Sequence, residues 1–195
     1  MKLATAIMQT AMLALLASAL LPITVWSIER GTAEFGVDGV FSITSFEAQS
    51  GFFGPGQDNL TELTFPSRVR FGTFTSEKAA VDFMFSFTSI HQGRADLTAL
   101  DAHVGAGFHF SDRTEGSVGF FEPIAGIRLV SGGSSASLQF LVGGEVGVKS
   151  ISSSGLATRL SGVIKHAFEN DNFLGATTFG VNFGLSLLTK PRRGL

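Results

Sequence analysis

The sequence predicts an all-β fold: an eight-stranded, antiparallel, up-and-down transmembrane β-barrel with a polar interior filled by side chains. Three observations predict it. From Thr32 onward, alternate residues are apolar over stretches of about ten, the signature of strands between two different environments. Nearly all charges in those stretches fall on the other parity. Short turn-like links separate the stretches, so neighbouring strands must be antiparallel.

The first strand spans Thr32–Phe46. Ala33, Phe35, Val37, Gly39, Phe41 and Ile43 share one face; Glu34, Gly36, Asp38, Ser42 and Thr44 share the other. In the second, Thr61–Thr75, Leu63, Phe65, Val69 and Phe71 oppose Arg68 and Arg70. In the third, Ala79–Thr88, a run of Phe83, Phe85 and Phe87 opposes Asp82 and Ser86. The fourth, Leu97–Phe110, sets Leu100, Val104 and Phe108 against Asp101, His103 and His109. The fifth, Ser117–Val130, is the least regular: Phe121, Ala125, Ile127 and Leu129 oppose Glu122 and Arg128. Pro123 inside it predicts a bulge or a strand start. The sixth, Ala136–Ser150, sets Leu138, Phe140, Val142, Val146 and Val148 against Gln139, Glu145 and Lys149. The seventh, Leu156–Phe168, sets Leu156, Leu160 and Ile164 against Arg159, Ser161 and Lys165. The eighth, Phe173–Leu187, sets Phe179, Val181, Phe183 and Leu185 against Thr178, Asn182 and Ser186. An even number of strands returns the chain to its starting side.

Composition agrees with a chain whose outside is oily. Of 195 residues, 44% are hydrophobic and only 15% charged, with 24 Gly and 20 Phe. The mean hydropathy is +0.32. A net charge of −2 gives no footprint for nucleic acid. There is no cysteine, hence no disulfide and no thiolate metal site.

The first 27 residues read as a secretory signal peptide: a basic Met1-Lys2, an uncharged Leu3–Leu21, then Pro22 and small residues. Cleavage fits after Ala19 or after Ser27, the latter leaving residues 28–195 as one barrel domain. A retained membrane anchor is the alternative, since Leu3–Trp26 is long enough to span a bilayer.

Two barrels share this strand pattern. A lipocalin-like soluble barrel puts the apolar face inside; an outer-membrane barrel puts it outside. The charges favour the second. Glu34, Asp38, Asp82, Asp101, Glu122 and Glu145 balance Arg68, Arg70, Arg128, Lys149, Arg159 and Lys165. A dry interior must pair its charges; a wet surface need not. Symmetric turns bring opposite charges into register. Centring one turn on Arg113 places Asp101 diagonal to Arg128 and His103 diagonal to Glu122. Centring another on Ser153 places Glu145 and Lys149 diagonal to Arg159. These thirteen residues, His103 included, form the expected interior ion-pair network.

On these residues the chain resembles the small eight-stranded OmpA/OmpX-like outer-membrane barrels. The echoes are Gly31–Gly36, Glu122–Gly126 and Gly143–Gly147. The last strand, Thr178-Phe179-Gly180-Val181-Asn182-Phe183-Gly184-Leu185, is similar to the insertion signal of that family. The resemblance implies outer-membrane lipid and the barrel-assembly machinery as partners, and Thr178, Gly180, Phe183 and Leu185 as the signal residues. The chain departs from the family pattern in continuing past the last strand to Leu195. It also has no Tyr, and its one Trp lies in the signal segment.

Catalytic candidates are few. The segment His166-Ala167-Phe168-Glu169-Asn170 resembles the lipid A deacylase motif, but Phe168 stands where that motif has its serine nucleophile. His103 and His109 are six residues apart on one strand, about 20 Å, too far to share a metal. The expected function is therefore a non-enzymatic, monomeric outer-membrane barrel with no cofactor, plugged by its ion pairs. Its role would be structural or in surface interaction. The rivals are a soluble lipid carrier and a small channel. The longest link, Glu47–Leu60, carries Phe52 and Phe53 as a candidate contact surface.

Overall fold

A computed structural model of the chain describes residues 29–46, 59–92, 95–110, 116–132, 135–152, 154–170 and 175–189. The signal segment and Phe52-Phe53 lie outside these residues. Eight strands follow one another: β1 (Ala33–Phe46), β2 (Asn59–Phe74), β3 (Ala79–Gln92), β4 (Ala95–His109), β5 (Gly116–Gly132), β6 (Ser135–Ile151), β7 (Leu156–Ala167) and β8 (Ala176–Thr189). Each pairs antiparallel with its neighbour, and β8 pairs back onto β1 from Ala33↔Thr189 to Phe46↔Ala176. The barrel is closed, so no strand edge is left unpaired.

Following register partners once round the wall leads from Glu34 through Gly72, Asp82, Gly105, Ile124, Gly143, Lys165 and Thr178 to Thr44, ten residues further along β1. With a rise of ~3.3 Å per residue and a strand spacing of ~4.8 Å, that stagger tilts the strands by about 40°. The backbone radius is then about 8 Å, room for side chains and little else.

Alternation places the two parities on opposite sides of this wall. Among the described residues, 27 large apolar side chains are exposed, 12 of them Phe. None of the described outward-facing strand side chains is charged. On β6 the outward series from Leu138 to Val148 covers about 25 Å of barrel height, the thickness of an outer-membrane apolar band. The apolar face is outside and the charged face inside, the reverse of a lipocalin.

The strands differ from the sequence reading in three respects. Pro123 produces no bulge: β5 runs in unbroken register against β6 from Gly116↔Ile151 to Gly132↔Ser135. Its missing N–H interrupts only the ladder to β4, between the pairs Gly105↔Ile124 and Phe108↔Phe121. The irregularity is at Pro66 instead. There β1 advances from Asp38 to Val40 while β2 passes from Arg68 to Thr64, adding two residues to β2. Two extra residues preserve the inside–outside parity, so the shift bends the wall without inverting it. Finally, β3 and β4 run beyond their expected ends, to Gln92 and from Ala95.

The turn registers also slip. Asp101 lies directly opposite Arg128, not diagonal to it, and His103 lies opposite Gly126, with no hydrogen bond to Glu122. Arg159 lies directly opposite Lys149, and Glu145 faces Val163. The turn between β6 and β7 is centred on Ser154, one residue past the expected Ser153, with Gly155 at φ of 80° and Ser152 bonded to Leu156.

An arginine at Val142, near the middle of the apolar band, should cost about 2–4 kcal/mol of unfolding free energy. Urea titration of the vesicle-reconstituted protein measures it.

Candidate functional site

The lumen is the place where chemistry-bearing side chains gather. Eight of its charges form one chain of alternating sign. Lys149 Nζ donates to Glu34 at 2.6 Å. Glu34 lies 3.6 Å from Arg70, and Arg70 donates to Asp38 at 3.2 Å. Arg68 Nε donates to Asp38 at 2.6 Å, and its Nη1 donates to Glu145 at 2.7 Å. Arg159 Nε donates to Glu145 at 2.9 Å, and Arg159 Nη2 reaches Glu122. Ser186 and Ser161 donate to Glu34 and Glu145. All eight charged residues are at most 4% exposed.

This geometry answers an energetic problem. An unpaired buried ion costs several kcal/mol, and a pair offsets that only with good hydrogen bonds. Four cations and four anions sum to zero, and every carboxylate inside the chain touches two cations. The pairs join strands far apart in sequence: Lys149–Glu34 links β6 to β1, and Arg68–Glu145 links β2 to β6.

A second, smaller cluster lies near the other end of the lumen, away from the first residue of β1. Arg128 grips Asp101 with Nε at 2.7 Å and Nη2 at 2.9 Å, a bidentate fork. Lys165 reaches the same carboxylate at 3.3 Å. This cluster carries one excess positive charge. Asp82 has no ion-pair partner among the described residues, and its buried Oδ1 accepts no hydrogen bond from them.

Glycines seat the carboxylates. A Cβ on Gly184 would fall 2.0 Å from Asp38 Oδ1, on Gly72 1.9 Å from Asp82 Oδ1, and on Gly105 2.1 Å from Glu122 Oε1. Strand glycine ordinarily weakens a sheet; here it marks where another side chain leans over the backbone.

The lumen is not polar throughout, as the sequence reading had it. Phe74, Ala80, Ile151, Ala157 and Leu188 form a buried apolar cluster at the end where β1 begins and β8 stops. Phe120 and Val118 are buried at the same end. Met84, Ile124, Leu141 and Val163 form a second cluster further along. Lys149 Nζ lies 5.3 Å from the Phe74 ring centre and the Arg159 guanidinium 3.9 Å from that of Phe120, so the charges rest on ring faces. These residues share the charged parity. The signal for them was present in the sequence, as apolar residues at even spacing from the charges: Phe74 four positions from Arg70, Phe120 two from Glu122.

Of the insertion-signal residues, Thr178 points inward and bonds the Thr44 hydroxyl at 2.9 Å, and Gly180 packs on Ser42. Leu185 points outward. His166 lies on the outward parity. Its Nδ1 is 2.9 Å from the Thr177 hydroxyl of the next strand, and Phe168 meets its ring edge-on at 4.8 Å. Among the described residues no three His, Asp or Glu side chains converge as a metal site.

An uncharged apolar wall around a charge-paired lumen, closed by eight strands with a stagger of ten, decides the architecture. The fold is that of the small eight-stranded outer-membrane barrels. Solved structures agree. Neisserial surface protein A matches with a TM-score of 0.64 over 80% of this chain and 98% of that one, at 10% identity. The outer-membrane protein AlkL, solved in lipid bilayers, matches with a TM-score of 0.54 over 90% of this chain and 98% of that one, at 14% identity. No family model matches the sequence, and no curated protein does.

Glu145→Gln leaves Arg68 and Arg159 short of one shared carboxylate charge and should cost about 3–5 kcal/mol. Asp101→Asn should cost less, because its two partners are 14% and 16% exposed and can turn to water. Gly184→Ala should cost about 1–3 kcal/mol by displacing Asp38. Urea unfolding followed by the folded-to-unfolded gel shift ranks all three.

Proposed function

We propose that this protein is a monomeric integral protein of the bacterial outer membrane, exported on residues 1–27 and closed to ions. Its role is structural or in surface interaction rather than catalytic. The observation that carries the reading is the contrast across one wall: apolar and uncharged outside, charge-paired inside. A lipid bilayer is the solvent that such an outside requires. The lumen leaves no wide path, since an eight-stranded barrel has space only for its side chains and these are linked to one another. The last strand supplies a polar-glycine-apolar pattern suited to recognition by the insertion machinery. Its polar members face the lumen and Leu185 faces lipid.

Against catalysis, the one hydrogen-bond partner of His166 among the described residues is the Thr177 hydroxyl, and its ring packs on Phe168. No oxyanion donors are arranged around that hydroxyl among the described contacts, and acyl transfer needs them.

Fractionation should place the protein with the outer membrane, and unheated samples should migrate differently from boiled ones on a gel. In planar bilayers the purified protein should show conductance at background. Recovery in the aqueous phase with bound fatty acid would sink the membrane reading; sustained conductance from the native protein would sink the closed-lumen reading.

A further inference from the structure

Between the ion-pair chain and its neighbours lie buried polar atoms with no hydrogen-bond partner among the described residues: Arg70 Nε and Nη1, Asp82 Oδ1, Glu122 Oε1, both ring nitrogens of His103 and of His109, and both amide atoms of Asn182. They come from β2, β3, β5, β4 and β8, so they surround the middle of the lumen rather than one wall. The register explains why protein cannot reach them. Asp82 leans over Gly72 and lies opposite Gly105, and Glu122 leans over Gly105. Those neighbours have no side chain to offer a donor. Buried polar atoms in folded proteins are nearly always hydrogen-bonded, and where side chains fail, ordered water serves.

Below these atoms the chemistry changes. His109 stands between Phe74, at 5.2 Å between ring centres, and Phe120, at 6.2 Å. The row crosses the lumen from β2 through β4 to β5. Phe74 and Phe120 are each 1% exposed, so solvent at that end of the barrel does not touch them. Ile151 and Leu188 close the remaining sides. We propose that the middle of the lumen, as far as His109, holds bound water, and that Phe74 and Phe120, with Ile151 and Leu188 beside them, are the barrier that keeps it from joining the solvent at the end where β1 begins. The ion pairs then fix the shape of the lumen, while the apolar layer built on the Phe74 and Phe120 rings stops ions. Apolar constrictions of this kind block ions by excluding water.

This inference rests on the closed-lumen reading, and one experiment separates the two. Native protein, Phe74→Ala/Phe120→Ala, Phe74→Leu/Phe120→Leu and Glu145→Gln are compared in planar bilayers. Each is first checked for the folded gel mobility. The native protein and the leucine variant should stay at background. The alanine variant should rise at least about tenfold above them, as expected when a hydrophobic constriction is widened. Glu145→Gln should stay below the alanine variant. If the native protein conducts, the closed-lumen reading fails. If it is closed and the alanine variant is equally closed, or Glu145→Gln conducts more, the aromatic barrier is wrong. Water-edited NMR of the native protein in bilayers tests the other half: transfer from water to the His103 and Asn182 side chains is expected, and its absence overturns the hydrated lumen.

Discussion

Burying charge inside a narrow barrel constrains everything else in this molecule. A barrel with a backbone radius of about 8 Å cannot hold the bulk water that eight ionised side chains would need, so each must meet its opposite within a few ångströms. That requirement sets the register. Asp38 must lie where Arg68 and Arg70 both reach it, and Glu145 where Arg68 and Arg159 converge. It also sets the glycines, which keep the backbone clear beneath the carboxylates. The apolar exterior is the complement of the same arrangement, since alternation sends every second residue outward.

The ion pairs and the apolar layer divide the work by chemistry. Charged groups specify: they bond in one geometry and penalise any slipped register by stranding an ion. Rings fill: Phe74 and Phe120 occupy volume, exclude water and offer their faces to Lys149 and Arg159. The two systems meet in those cation–ring contacts, so the layer and the chain of charges hold each other in place.

Much of the fold was legible in the sequence because strand alternation has a period of two and the two environments differ sharply. Eight strands and their inward parity followed from the spacing of Glu34, Asp38, Arg68 and the rest. What alternation does not encode is register. Turn centres at Arg113 and Ser153 fall one or two residues short of the observed ones, and in an antiparallel pair an error of one residue at the turn moves every partner by two. Pro66 and Pro123 look alike in sequence, yet only the first coincides with a bulge. The interior apolar residues were hidden by attention to charge: Phe74 and Phe120 share the parity of Arg70 and Glu122 and read as lapses in a pattern when they are part of it.

The closing bonds of the charge chain have a bearing on how the barrel closes. Lys149–Glu34 and Arg68–Glu145 span 115 and 77 residues of sequence. Strands paired in order as an open sheet cannot make them, because the partners lie on opposite limbs of the curl. Such a sheet presents one face of solvated carboxylates, ammonium and guanidinium groups to water. Only when β8 meets β1 do these groups lose their hydration and find one another. The same side chains thus serve two successive purposes: in the open sheet they keep a greasy polypeptide wettable, and at the moment of closure they become its internal fastening.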